Sequence, residues 1–363
     1  MKKLLSLTLG LLLAVPLAAC AGSLSPAPSN NAAAPPPAAP TAAAPAPANK
    51  SGGPIKVGII NNPPSESGYR EANVKDFESV FSAANGYDVK TFYSLNNDEQ
   101  LNAAQGFITA GVDYLLISAA ATDGWDSTLK SAKDAGIKVL LFDRMINCDP
   151  SMYEAAVVSD MASEGAASVA WLKAQNLPKY DVVHIQGVMG SDAQIGRTGA
   201  LQKEFDAKTM NMVAQQTAEW NADKAKQIVE SVINSGKKFN VIAAENDDMA
   251  KGAVAALDEK GISHGVDLTT GKPKDVIVMS YDCNKWALRQ LQAGNWNYDQ
   301  QCSPFQASVI DGFIKTLQTG GTIQGLNAKK QIISVEKGFE ATKITDNDIT
   351  TYGLGTDPGP AAK

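Results

Sequence analysis

The stretch IKVLLFDRMI, residues 137–146, is a run of apolar residues that is interrupted by Asp143 and Arg144. Short, continuous runs of Val, Ile and Leu are typical of parallel strands that are buried on both faces. A dry core cannot hold an acid and a base unless both are paired. Since the carboxyl end of such a strand lies at the edge of its sheet, we predict that this strand brings Asp143 and Arg144 to a cleft.

The same alternation of strand and helix recurs on both sides of this stretch. It begins with IKVGII at residues 55–60 and restarts after EAAVVSD at residues 154–160. Such units pack as right-handed crossovers around an open sheet. We therefore predict an α/β fold with two doubly wound parallel-sheet lobes. A late helix at residues 305–320 and a strand at residues 329–338 are expected to cross back to the first lobe.

The length of the folded part fits two lobes. We predict that lobe 1 comprises residues 54–158 plus 303–335 and that lobe 2 comprises residues 159–302 plus 336–352. A three-crossing hinge would join the lobes, and residues 353–363 would form a C-terminal tail.

The N-terminus has the pattern of a signal peptide at residues 1–19. Two lysines precede an apolar run that is shorter than a membrane-spanning helix needs. The run ends in LAAC, which resembles the lipobox of bacterial lipoproteins, and this resemblance implies that Cys20 carries a lipid anchor. Repeated Ala and Pro at residues 20–53 then predict an extended tether. The alternatives to lipidation are a signal peptide that is cleaved after an A-x-A-like site and an N-terminal helix that is retained.

Composition argues against several partners. The chain holds 32 basic and 38 acidic residues, for a net charge of −6, and without a basic run we expect no nucleic acid partner. With two histidines and four cysteines, we expect no metal site.

Once Cys20 is lipidated, Cys148, Cys283 and Cys302 remain, which predicts one disulfide and one free thiol in an oxidising compartment. The sequence does not assign the pair, although we favour Cys283 with Cys302.

Polar and aromatic side chains follow most of the predicted strands. Carboxylates, amides and guanidinium groups offer directed donors and acceptors, and aromatic rings offer flat apolar faces. A sugar presents the complement, because its hydroxyls both donate and accept and its C–H face stacks on a ring. We therefore predict a sugar-binding cleft at these strand ends. The candidates are Glu66, Tyr69, Arg70, Asp123, Trp125, Asp143, Arg144, Arg197, Asn246 and Asp282.

Longer strings make a family resemblance specific. NNPPSESGYR (61–70), ATDGWDSTLKSAKDAGIKVLLFDR (121–144), AENDDMAKGAVAAL (244–257) and VMSYD (278–282) resemble the type I periplasmic sugar-binding proteins of bacterial ABC importers. The resemblance extends from residue 54 to about residue 340. Within the family, the chain is most similar to the branch that includes the galactofuranose-binding protein.

The resemblance implies sugar contacts at six positions. In ribose-binding relatives an Asp-Arg pair at the end of the fourth strand binds sugar hydroxyls, and Asp143 and Arg144 occupy that place. An arginine in the second lobe, an asparagine before an acidic pair, a strand-end aspartate and a hinge-strand glutamine or glutamate complete the set. Their counterparts here are Arg197, Asn246, Asp282 and Gln301.

One departure from the family concerns aromatic stacking. The two phenylalanines that sandwich ribose in some relatives are absent after the first strand, where Pro63, Pro64, Ser65 and Glu66 stand instead. This difference argues against ribose itself. Tyr69, Trp125 and Trp220 are the alternative stacking residues.

Each candidate also has a purely structural explanation. Asp143 and Arg144 could form a solvated surface pair worth less than about 1 kcal/mol. Asn246 could cap the helix that follows it, and Tyr69 and Trp125 could be core aromatics.

The resemblance implies an extracytoplasmic, lipid-anchored solute-binding protein that needs no cofactor. It would capture a monosaccharide, a furanose such as galactofuranose or a related sugar such as fructose, by hinge closure. As a monomer, it would then deliver the sugar to an ABC permease. A sugar-sensing receptor for a membrane kinase or chemoreceptor is the alternative. Asp143 and Asp282 could be drawn as the two carboxylates that a glycosidase needs. The sequence shows no nucleophile elbow, phosphate loop or metal cluster, however, so we do not expect an enzyme.

Overall fold

A computed structural model gives the fold of residues 52–361, which are the residues that the structure describes. The predicted signal peptide, Cys20 and almost the whole tether lie outside this range. Within it, no helix has the length and apolar character needed to cross a membrane.

Helices and strands alternate along the described chain. The first part contains β1 (Ile55–Asn61), α1 (Gly68–Val80), β2 (Tyr87–Tyr93), α2 (Asn97–Thr109), β3 (Tyr114–Ile117), α3 (Asp126–Asp134), β4 (Lys138–Asp143) and β5 (Ala155–Val158). The second part contains α4 (Met161–Ala174), β6 (Asp181–Gln186), α5 (Asp192–Asp206), β7 (Asn211–Thr217), α6 (Ala222–Asn234), β8 (Val241–Ala244), α7 (Asp247–Glu259), β9 (Val266–Asp267), β10 (Lys272–Pro273), β11 (Ile277–Asp282), α8 (Lys285–Gln292) and β12 (Tyr298–Gln301). The last part contains α9 (Ala307–Gln318), β13 (Gln331–Ile333), β14 (Gly338–Glu340) and α10 (Asp346–Tyr352).

Twelve of the fourteen strands of the described residues form two six-stranded sheets, which confirms the predicted fold class, while β9 and β10 form a separate antiparallel pair. The first sheet has the order β13-β5-β4-β3-β1-β2 and is parallel throughout. The second has the order β14-β12-β11-β8-β6-β7 and is parallel except for β14. Every residue of β3, β5 and β8 is buried, as expected for strands covered by helices on both faces.

Each sheet lies between two layers of helices. Phe77 of α1 and Phe313 of α9 pack on one face of the first sheet, whereas Ile108 of α2 and Leu129 of α3 pack on the other. In the second sheet, α4 and α5 cover one face and α6, α7 and α8 cover the other. All parallel strands of a sheet point the same way, so their carboxyl ends meet at one edge.

The chain passes between the sheets at three places, after β5, after β12 and after β13. The prediction of a single strand at residues 329–338 is therefore wrong in part. Residues 331–333 join the first sheet, and residues 338–340 join the second as its antiparallel edge.

The three cysteines among the described residues are free thiols, so the prediction of a disulfide is wrong. Cys283 and Cys302 follow paired positions of β11 and β12, yet their side chains meet different groups. The thiol of Cys302 lies 3.6 Å from the hydroxyl of Ser159, while Cys283 lies beside Asp299.

Candidate functional site

The carboxyl ends of the two sheets face each other and are in contact. The amide of Gly68 donates to Oδ2 of Asp248 at 3.1 Å, and the amide of Thr122 donates to the carbonyl of Gly190 at 3.0 Å. A third hydrogen bond runs from the amide of Met145 to Oδ2 of Asp192 at 2.8 Å. Each of these bonds joins a loop or helix next to the first sheet to a loop or helix next to the second, so the two sheets enclose the residues between them.

Asp143 is the centre of a buried cluster on the first sheet. Its Oδ1 accepts from the hydroxyl of Tyr69 at 2.7 Å, and its Oδ2 accepts from Nη2 of Arg70 at 2.6 Å and from Ser118 at 2.7 Å. Burial alone would raise the pKa of this carboxyl group, but Arg70 and Arg144 outweigh it and lower the pKa to about 2. The carboxylate is therefore ionised and fixed in orientation at neutral pH.

Arg70 serves as the support of this cluster. Its guanidinium group is fully buried and also donates to Oε2 of Glu66 at 3.0 Å and to Oδ1 of Asn61 at 2.9 Å. Because its hydrogen bonds stay within the first lobe, Arg70 positions Glu66 and Asp143 rather than reaching across the cleft.

Arg144 differs from Arg70, because two of its donor nitrogens form no hydrogen bond in the described part of the chain and Nε has only an ion-pair contact with Oδ2 of Asp143, at 3.6 Å. The residue is 5% exposed, and neither Nε nor Nη1 forms a hydrogen bond with any described residue. Its Nη2 lies 3.4 Å from Oε1 of Glu66. A buried donor without a hydrogen bond costs about 1–3 kcal/mol, so Arg144 is a candidate for contact with a ligand that supplies acceptors.

Trp220 of the second lobe lies next to Arg144. The centre of its ring is 5.7 Å from the guanidinium carbon of Arg144, and the side chain is 3% exposed. Gly187 allows this placement, because a Cβ atom there would lie 1.9 Å from the nearest ring atom. Trp220 thus offers an aromatic face opposite the Nε and Nη1 donors of Arg144. It entered the sequence analysis only as a stacking alternative, since β7, the strand before it, was not predicted.

Arg197 is the buried cation of the second lobe. Its Nε and Nη2 both lie 2.8 Å from Oε2 of Glu164, and its Nη1 donates to the carbonyl of Glu245 at 2.6 Å. Nη2 is also 3.8 Å from Oδ1 of Asp282. Sequence reasoning missed Glu164, because it lies within helix α4 and follows no strand.

Two strand-end aspartates have unusual backbones. Asp143 ends β4 with φ of 66°, and Asp282 ends β11 with φ of 107°. Residues with a Cβ rarely adopt positive φ, and such strain concentrates at functional sites. Asp282 is 3% exposed, and burial, only partly offset by Arg197, raises the pKa of its carboxyl group. Gln301 of β12 lies opposite Asp282 in the sheet.

Asn246 is buried at the start of α7. Its Oδ1 accepts from the amide of Met249 at 2.8 Å, so it caps the helix as the structural explanation anticipated. The capping bond uses Oδ1 only, and the Nδ2 amide group of Asn246 takes no part in it.

Asp123 and Trp125 are not brought into this cluster. Asp123 is exposed, and its Oδ1 accepts from the side chain of Asn147 at 2.6 Å. Trp125 is fully buried in a hydrophobic cluster with Leu129, and its indole N–H donates to the carbonyl of Ala121 at 3.1 Å. Both residues have their partners within the first lobe, so we assign them structural roles there.

In open α/β sheets, ligands bind at the carboxyl ends of the strands, so the cleft between these two sheets is the candidate ligand-binding site. Residues 57–303 match the family model of the periplasmic binding protein domain. The chain therefore belongs to this family, as the resemblance to type I periplasmic sugar-binding proteins of ABC importers predicted.

Individual relatives agree with this assignment. The chain is 35% identical over 214 residues to the galactofuranose-binding protein YtfQ of Escherichia coli (strain K12), over 57% of this chain and 67% of the relative. It is 28% identical over 299 residues to the fructose import binding protein FruE of Bifidobacterium longum (strain NCC 2705), over 79% and 86% respectively. The binding protein of the arabinose ABC transporter from Shewanella sp. ANA-3, bound to α- and β-L-arabinofuranose, superposes with a TM-score of 0.70 at 27% identity, over 81% and 93%.

Proposed function

We propose that this protein captures a monosaccharide between its two lobes and delivers it to an ABC permease. The observation that carries the proposal is that the buried Nε and Nη1 of Arg144 form no hydrogen bond with the described residues and lie beside the ring of Trp220. A sugar satisfies both features, because its oxygens accept from the guanidinium group and its C–H face stacks on the indole.

In this mechanism both lobes hold the same sugar. The first lobe contributes Arg144 and the ionised Asp143, which Arg70 and Tyr69 keep in place. The second contributes Trp220, Arg197 and Asp282 together with Asn246 and Gln301. Only the closed state lets both sets touch one ligand, so binding shifts the protein towards closure. The interlobe hydrogen bonds at Gly68, Thr122 and Met145 add to the closed state.

We further propose that the sugar is a furanose and that the protein leaves it unchanged. Relatives named for galactofuranose and solved with arabinofuranose support the ring form. The absence of conversion is supported by the relatives, which are named as binding proteins for galactofuranose and fructose.

Calorimetric titration with a panel of furanose and pyranose sugars tests the substrate class. We expect at least one furanose to bind the wild type and Arg144→Ala to lose that binding without a large fall in Tm. Arg289→Ala is the matched control, because Arg289 pairs with Asp346 and Asp357 away from the cleft. The proposal would be refuted if the titration showed binding heat for an amino acid or a purine and none for any sugar of the panel.

We also propose that Cys20 carries a lipid that holds the monomeric protein at the outer face of the cell membrane. The lipobox-like sequence at residues 17–20 supports this. Detergent phase partitioning of wild type and Cys20→Ala is the test, and we expect only the wild type to enter the detergent phase. Equal partitioning of the two proteins would contradict the anchor.

A further inference from the structure

Glu336 connects the three segments that pass between the lobes. It lies between β13 and β14, in the third of these segments. Its Oε1 accepts from the hydroxyl of Ser159 at 2.6 Å, in the first segment, and from the amide of Ser303 at 2.7 Å, in the second. One carboxyl group therefore holds all three hinge segments together.

A second carboxyl group meets Glu336 from helix α4. Glu164 is 3% exposed, and its Oε2 is bound to Arg197 at 2.8 Å. Its other oxygen, Oε1, is buried and has no donor among the described residues when both acids are ionised. Ligating atoms of Glu164, Glu336 and Cys302 all lie within 4.8 Å of one another.

A proton on Glu336 resolves this arrangement. Its O–H could then donate to Glu164, which would supply the missing partner. Two ionised carboxylates at this separation would repel each other in a buried site, and only one of them is bound to a guanidinium group. Burial and the charge of Glu164 raise the pKa of Glu336 to about 9.

The neighbouring groups are consistent with a shared proton. Arg197 from α5 faces the pair and is already bound to Glu164. Cys302, directly after β12, and Asp282, at the end of β11, complete the surroundings, and burial raises the pKa of both. We do not assign a metal here, because a thiol that keeps its proton is a poor ligand and Arg197 already supplies the positive charge.

We propose that Glu164 and Glu336 share a proton and together position Arg197, so that the hinge and the ligand-binding arginine form one hydrogen-bonded unit. The inference rests on the proposed function, which gives Arg197 its contact with the sugar. Loss of the proton leaves two negative charges competing for Arg197 and weakens the hinge. Glu336 is thus a positioning residue whose effect depends on pH.

The sign of the pH dependence follows from the raised pKa. In the unfolded chain Glu336 loses its proton in the ordinary carboxyl range, whereas in the folded protein it keeps the proton up to about pH 9. Between the ordinary carboxyl range and about pH 9, the folded state therefore binds one proton more than the unfolded chain. The stabilisation of the folded state by this proton is lost as the pH rises through about 9.

Three variants test the proposal: Glu336→Gln, Glu336→Ala and, as a matched control, Glu340→Gln. Glu340 lies on β14, and its ion pair with Lys343 is at the surface. A glutamine at position 336 can accept from Ser159 and Ser303 and donate to Glu164 without an ionisable proton. We therefore expect Glu336→Gln to bind sugar as the wild type does at about pH 7 and to keep that affinity at about pH 10, where the wild type binds about tenfold more weakly.

Glu336→Ala should bind more weakly at both pH values, and Glu340→Gln should follow the wild type. Thermal unfolding and infrared spectra are recorded for the same proteins. We expect the wild-type Tm to fall across this interval and the Glu336→Gln Tm to fall less. The protonated-carboxyl band at neutral pH should be weaker in Glu336→Gln than in the wild type, with the remainder due to other buried acids of raised pKa such as Asp282.

A wild-type Tm that does not change with alkaline pH would overturn the inference, as would a Glu336→Gln variant with the wild-type pH profile. Zinc binding in equimolar amount that requires Cys302 would also overturn it, since a metal would then occupy the place of the proton. If no sugar binds the wild type, the proposed function fails, while the Tm profile and the infrared band still decide whether the carboxyl groups share a proton.

Discussion

Replacement of Asp143 by asparagine gives a quantitative test of the buried cluster. The substitution keeps the shape of the side chain but removes the charge that faces Arg70 Nη2 at 2.6 Å. Breaking a buried ion pair costs about 3–5 kcal/mol, because the remaining charge is left without compensation. Arg70 keeps a second partner in Glu66 at 3.0 Å, so we expect the lower end of this range, about 3 kcal/mol.

A surface pair of the same length provides the control. Lys130 and Asp134 are also 2.6 Å apart, but their side chains are 66% and 63% exposed. Exposed pairs contribute about 0.2–1 kcal/mol, so Asp134→Asn should change the free energy of unfolding by less than about 1 kcal/mol. Any difference between the two substitutions then reflects burial rather than distance.

Urea unfolding at several pH values measures both effects. Since the folded-state pKa of Asp143 is lowered to about 2, its stabilising effect is fully present above the ordinary carboxyl range and is lost as the pH falls through about 2. The gap between wild type and Asp143→Asn should therefore close in strong acid. A gap below about 1 kcal/mol at neutral pH, or a gap that stays constant on acidification, would refute the reasoning.

Two further predictions concern the cleft and its closure. Trp220→Ala should weaken sugar binding about tenfold or more in calorimetry, and Trp220→Phe should keep most of the affinity. Gly187→Ala should weaken binding to a similar extent, because the added methyl group displaces the ring; unchanged affinity would exclude stacking on Trp220. Burial raises the pKa of Asp192, which accepts from Met145 across the cleft, to about 6. Closure should therefore take up protons and strengthen binding as the pH falls from about 7 to about 5. Asp192→Asn should show a flatter pH profile of affinity, and an equal slope in both proteins would contradict the prediction.

The sequence predicted those elements whose pattern is local. Strands β1, β3, β4 and β8 are apolar runs, and each is recognisable without knowledge of its neighbours. By contrast, β12 has the polar sequence YDQQ and is nonetheless fully buried, because it lies between β11 and β14 in the second sheet. The edge strand β7 has no fully buried residue, so its pattern does not distinguish it from a loop.

The candidate site was predicted in part for the same reason. Strand-end positions such as Asp143, Arg144 and Asp282 are recognisable from their place after an apolar run. Glu164 and Glu336 follow no such rule, because a helix position and a hinge position become neighbours only through the crossing of the chain.

The sequence by itself determined the two α/β lobes, the family and the placement of Asp143 and Arg144 at a sheet edge, because strand periodicity and motif order are properties of the linear chain. The tertiary structure decided how that pair is used. Asp143 binds Arg70, which lies 73 positions away, while its neighbour Arg144 keeps two donors without a hydrogen bond to any described residue beside Trp220. The physical reason is that pairing in a buried site depends on distance and direction in space, which neighbouring positions in a sequence do not specify.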